Sequence, residues 1–361
     1  MDTSIRPRTS SLVAALLFSV GALGCQSFKT TDEGLRAYQA NEFKLAVDEW
    51  EPLAKDGDAD AQFFIAVMYE EGRGVAPDPI EAQEWYQRAA AQGHAHAQLN
   101  LGLMYFHGSG VQQSHAKAHS WFLTAAENGL PEARGNLGVL YLKGEGVEQN
   151  LHQAKAHFEL AAEGGDGRSQ RILAEMHAEG LGTDADPAQA GEWMQSAAES
   201  GDIEAQVHHG AALLRDGRAD EAYPILSAAA LAGQWEAQFL LGWMHQTGQG
   251  APRDQSLARA WLQSAAESGS ALARTGAAMS LIQSADEPTD AAATDAAGWL
   301  QLAADSGFAA AQYDLGLAYL QGRGVARDQR MGREWLRRSA RQGFPDAREK
   351  LAIIGEYPRT R

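Results

Sequence analysis

The chain has 361 residues, 45% of them hydrophobic, with a formal net charge of -17 and a single cysteine. Such a charge repels nucleic acid over most of the surface, and one cysteine excludes any disulfide within the chain. Valine and isoleucine are sparse and no run alternates apolar with polar residues, so strands have little support.

Residues 1–24 read as an export signal. Arg6 and Arg8 supply a positive start, Leu12 to Leu23 an apolar stretch, and Ala22-Leu23-Gly24 a small-residue cleavage site before Cys25. The stretch is too short to cross a bilayer, which takes roughly 20 residues. The placement of Cys25 resembles a bacterial lipobox, whose cysteine receives lipid and becomes the first mature residue. Ala22 and Leu23 depart from the usual box, and Ala22 with Gly24 also suits an ordinary signal peptidase and a secreted product. Resemblance to lipoproteins implies a periplasmic body held at the membrane by lipid on Cys25, with no spanning helix. Gln26 after the cysteine implies the outer membrane, and residues 25–32 form the lipidated end and its spacer.

From residue 33 the chain repeats itself. A closing glycine recurs at Gly57, Gly93, Gly129, Gly165, Gly201, Gly233, Gly269, Gly307 and Gly343, in steps of 36 apart from one of 32 and one of 38. A small residue (Ala61, Ala97, Ala133, Ser169, Ala205, Ala237, Ala273, Ala311, Ala347) and a bulky one (Trp85, Trp121, His157 with Phe158 beside it, Trp193, Ile225, Trp261, Trp299, Trp335) keep the same steps. A period of this length marks stacked supersecondary units that bury their apolar faces only against neighbours.

Each unit predicts an antiparallel helix pair. In the unit from His96 to Leu130, the spacing of Ala97, Leu101 and Tyr105, with Met104 alongside, draws one apolar stripe down a first helix. Gly108 and Gly110 break it, Val111 folds back as a plug, and Ser114 caps a second helix whose buried face is Ala118, Trp121, Phe122, Ala125 and Ala126. Asp78-Pro79 and Asp186-Pro187 place an acid cap before a proline at the first helical position, where no N–H is needed. Residues 33–57 form an atypical first hairpin, 58–344 the repeats, and 345–361 a capping helix and tail. Two units depart from the pattern. One, about 204–233, has a shortened turn at Asp216-Gly217-Arg218; the other, about 272–307, replaces its loop with an exposed insertion around Asp286 to Asp290.

These residues carry a resemblance to Sel1-like repeats, relatives of the tetratricopeptide repeat, through the Gly-x-Gly loops at Gly72/Gly74, Gly108/Gly110, Gly144/Gly146, Gly180/Gly182, Gly248/Gly250 and Gly322/Gly324. The expected fold is all-α: a right-handed solenoid of about nine antiparallel helix pairs with a C-terminal capping helix.

The chemistry-bearing patterns are few. The Gly-x-Gly loops lack the preceding strand, third glycine and lysine of a phosphate cradle, and read as turns. His94 with His96, His115 with His119, and His208 with His209 form pairs, but no HExxH pattern or telling third ligand accompanies them. No nucleophile elbow, catalytic cysteine or paired-carboxylate motif appears, so neither catalysis nor a cofactor is expected. Function then rests on shape: a scaffold for unknown protein partners of the envelope, or alternatively a binder of cell-wall glycan or exopolysaccharide in export assembly. By resemblance to tetratricopeptide grooves, first-helix positions line the binding face: Phe106, His107, Arg171, Trp243 and Tyr313. Glu70 joins them, and Phe63, Leu99 and Phe239 belong either to that face or to the core between repeats. The charge is also uneven. Residues from Gly322 onward carry 11 Lys/Arg against 5 Asp/Glu, a net +6 that leaves -23 on residues 1–321. This end is a solvated basic cap or a docking surface for an acidic partner or anionic lipid.

Overall fold

The computed structural model describes residues 32–284 and 291–354. The export signal, Cys25, most of the spacer, the insertion around Asp286 to Asp290 and the tail from residue 355 lie outside the described residues. The described residues form 19 helices and contain no strand. They fall into two compact units that divide between Ser200 and Gly201.

The first unit holds five helix pairs: α1 (Asp32–Gln39) with α2 (Phe43–Lys55), α3 (Ala59–Glu71) with α4 (Pro79–Ala91), α5 (Ala95–His107) with α6 (His115–Glu127), α7 (Pro131–Lys143) with α8 (Leu151–Glu163), and α9 (Gly167–Glu179) with α10 (Pro187–Glu199). The second holds four pairs and a cap: α11 (Ile203–Arg215) with α12 (Ala219–Leu231), α13 (Trp235–Thr247) with α14 (Gln255–Glu267), α15 (Ala271–Ser284) with α16 (Ala291–Asp305), α17 (Ala309–Gln321) with α18 (Gln329–Arg341), and α19 (Pro345–Ile353). The nine pairs and the terminal helix are those the repeat predicts.

The turns follow from their residues. The first glycine of each loop caps the first helix in the left-handed region; Gly108, at φ +75°, donates its N–H to the Met104 carbonyl at 2.8 Å. The second glycine is also left-handed, and it sits where no Cβ fits. A methyl on Gly110 would collide with the Pro79 carbonyl, one on Gly74 with that of Phe43, and one on Gly250 with that of Ala219. The loop of each repeat thus abuts the start of the previous repeat's second helix, which explains why the motif needs two glycines. Val75, Val111 and Val147 fold back against the core. Asp78, Ser114, Asn150, Asp186, Asp254 and Asp328 cap the second helices through their side-chain oxygens.

Packing departs from the simple stripe. Ala97 through Met104 are all buried, eight consecutive residues, because the first helix lies between two neighbours and needs apolar or satisfied side chains all round. On the second helix the deepest side chain is the one after the tryptophan column. Tyr86, Phe122, Phe158 and Leu262 are fully buried, whereas Trp121, Trp193 and Trp261 are half-buried. Phe122 seats on Gly102 and Phe158 on Gly138; a Cβ there would come within 2.7 Å of the Phe158 ring.

Candidate interaction surface

First helices of neighbouring repeats touch one another directly, α7 with α9 in the first unit and, in the second, α11 with α13, α13 with α15 and α15 with α17. Second helices of neighbouring repeats make fewer such contacts. The first helices therefore form the inner row, since helices on the inside of a bend are the closer spaced.

A buried glutamine fastens that row from behind. Gln62, Gln98, Gln170, Gln238 and Gln312 each donate Nε2 to a carbonyl of the preceding second helix, Ala54, Ala90, Ala162, Ala230 and Ala304, at 3.0 to 3.1 Å. In three repeats an amide 30 residues on completes the side chain: Gln92 donates to Gln62 Oε1, Asn128 to Gln98 and Gln342 to Gln312, each at 2.8 Å. The sequence reading missed this column, although it stands directly after the alanine column at the same period.

The inner row itself is polar and varied. Asn100 donates to the Tyr86 hydroxyl at 2.8 Å, which in turn donates to Glu70 at 2.6 Å. Asn136 Oδ1 accepts from Arg168 at 3.2 Å. At the same repeat position in the second unit stands Asp314, whose carboxyl is pushed up to about 7 by burial and by the nearby Asp346. His94 caps α5 through Nδ1, approaches Asp60 at 3.3 Å through Nε2, and stacks on Phe63 with centroids 4.6 Å apart.

The proposed groove residues fall in both units and meet different surroundings. Phe106 is half-buried, stacked on His115 at 4.8 Å and edge-on to His107 at 5.1 Å, so both close the turn between α5 and α6, with His107 exposed. Arg171 is buried, 4% exposed, and pairs with Glu175 of its own helix at 2.9 Å. Trp243 is half-buried against the core of the second unit, and Tyr313 packs on Phe344 at 5.5 Å. Phe63 and Leu99 belong to the core between repeats, and half-buried Phe239 packs against the core beside Gly276. The histidines mostly pack on aromatic rings. His119 meets Tyr141 edge-on, Tyr141 stacks on His157, and burial lowers the proton affinity of both histidines. Among the described residues no three His, Cys, Asp or Glu side chains come together as a metal-binding group, and no helix is long and apolar enough to cross a membrane.

A family model described as Sel1 repeat matches residues 59–94, 95–130, 131–166, 167–202, 235–270, 287–308 and 309–344. Among solved structures, the chain is similar to c5321, a protective antigen present in uropathogenic Escherichia coli strains displaying an SLR fold. Identity is 30% and the TM-score 0.66, over 92% of this chain and 73% of that one. A Sel1 repeat protein from Oxalobacter formigenes is also 30% identical, with a TM-score of 0.59 over 66% of this chain and 99% of that one. No functionally curated protein matches the sequence.

Proposed function

The chain belongs to the Sel1 repeat family, and from that premise we propose that it is a lipid-anchored scaffold of the bacterial envelope that holds protein partners on its inner row of first helices. Chains of this family generally act as protein-interaction scaffolds, and their fold is typically non-catalytic.

One observation carries the reading: the repeats keep their packing positions constant and vary the inner row. The buried alanine, glutamine and glycine positions recur, while the half-buried position just before the alanine holds Asp60, His96, Glu132, Arg168, Glu204, Glu236 and Ala310. Packing alone has no use for such variety. A surface that reads successive segments of a partner does. The envelope location rests on residues 1–25, with Arg6, Arg8, the apolar stretch and Cys25 in lipobox order.

Photocrosslinkers placed at Glu132, Arg168 and Glu236 in cells should trap one defined protein, and crosslinkers at exposed Leu123 and Leu160 of the second helices should not. Equal trapping from both rows, or recovery only of purified peptidoglycan, refutes the scaffold reading. A palmitate analogue should label the protein and lose its target in Cys25→Ala; label that persists refutes the anchor.

A further inference from the structure

Apart from the inner row, α18 carries a charged feature of its own, a line of arginines. Arg330, Arg337 and Arg341 are exposed and fall one turn or two apart on one face of the helix, a line roughly 16 Å long. Arg333 stands half-buried beside them. Glu334 is the only carboxylate in α18, and it pairs with Arg338, whose guanidinium also lies 4.4 Å over Trp335. The apolar residues Trp335 and Leu336 point inward, 4% and 0% exposed.

The repeat supplies an internal control. At the positions of Arg330, Arg337 and Arg341, α10 carries Ala188, Gln195 and Glu199, and α14 carries Ser256, Gln263 and Glu267. The same helix pair therefore forms with neutral residues at two of these positions and an acid at the third, so folding does not demand the basic line.

We propose that this outer face of α18 docks an acidic segment of a protein partner. The assignment rests on the scaffold reading and adds a second contact to it, of stated chemistry. Guanidinium forks match carboxylates in paired hydrogen bonds, and arginines a turn apart meet acids at the same pitch or in an extended strand. An anionic membrane is the poorer match. The face has no exposed apolar side chain to insert.

The test is fluorescence anisotropy of a labelled oligoglutamate peptide of about ten residues against the full chain at low salt. The variant is Arg330→Ala, Arg337→Gln, Arg341→Glu, which copies the residues α10 holds at these positions. The wild type should bind oligoglutamate at least about tenfold more tightly than oligoserine, and the triple variant should lose at least about tenfold. Equal binding by the variant overturns the proposal, as does failure to bind the peptide, with or without binding to phosphatidylglycerol vesicles. Failure here with inner-row crosslinks intact removes only this second contact; loss of the inner-row crosslinks alone removes the scaffold reading and leaves the peptide result standing.

Discussion

Replacing Ser200 with asparagine should stabilise the protein, because one glutamine of the buried column is left half-satisfied. Gln170 is 5% exposed, its Nε2 is held by Ala162 at 3.1 Å, and its Oε1 has no hydrogen-bond partner. The donor place, 30 residues on, is filled by Gln92, Asn128 or Gln342 in three other repeats and by Ser200 here. A serine hydroxyl falls short of the carbonyl oxygen that an amide reaches. The backbone is ready for the longer residue: Ser200 has φ -74° and ψ 0°, against -82° and 13° at Asn128. A buried acceptor without a partner costs about 1–3 kcal/mol, and a new hydrogen bond returns about 0.5–1.5 kcal/mol net. Ordering an asparagine at an exposed helix end takes back a part of that, leaving roughly 0.5–1 kcal/mol. Urea unfolding followed by circular dichroism should show Ser200→Asn with a higher midpoint and the converse Asn128→Ser with a lower one. In a Gln170→Met background the gain should vanish, since the acceptor has gone. An equal gain in that background, or a shift of both single variants in the same direction, refutes the mechanism.

Three further outcomes follow from the same packing. Gly110→Ala should cost more than Gly129→Ala, by about 2 kcal/mol in thermal or urea unfolding: both glycines have positive φ, but a Cβ at 129 meets open space and one at 110 meets the Pro79 backbone. Asp314 has its carboxyl raised from 3.8 to about 7, so the folded state holds a proton that the unfolded state has released between those values. Stability from this group therefore rises as pH falls from about 7 toward 4, and Asp314→Asn, the residue at positions 100 and 136, should stabilise at pH 8 and not at pH 4. Arg73 bonds Glu71 at 3.0 Å and the Tyr38 hydroxyl at 2.6 Å and lies over the Phe43 ring at 5.1 Å. Arg73→Ala should loosen α1 and α2 by about 1–2 kcal/mol, read as faster amide exchange confined to residues 32–55.

The helix pairs were legible because each was written several times over. Gly108 and Gly110 alone are an ambiguous pair; the same pair at six places with one period is a turn. The glutamine column stands in the sequence directly after the alanine column, but it was missed, because a polar residue in a predicted helix reads as solvent-facing unless its face of the helix is known to be covered. The groove residues were the least legible. Arg171 and Phe106 sit on first helices as expected, yet one turns inward to Glu175 and the other closes its own turn on His115. Which way a side chain faces on a helix buried over most of its surface is set by the side chains it meets there, and periodicity does not record them.

By itself, then, the sequence determined the number of helices, their ends and their pairing, since glycine, proline and cap residues act through local backbone chemistry that repeats with the period. Only the tertiary structure decided the rest. It placed the first helices in the inner row, gave the core to Phe122 rather than Trp121, barred a Cβ at Gly110 and set Asp314 beside Asp346. Each of these depends on how closely one repeat approaches the next, a distance governed by side-chain volumes meeting across the interface.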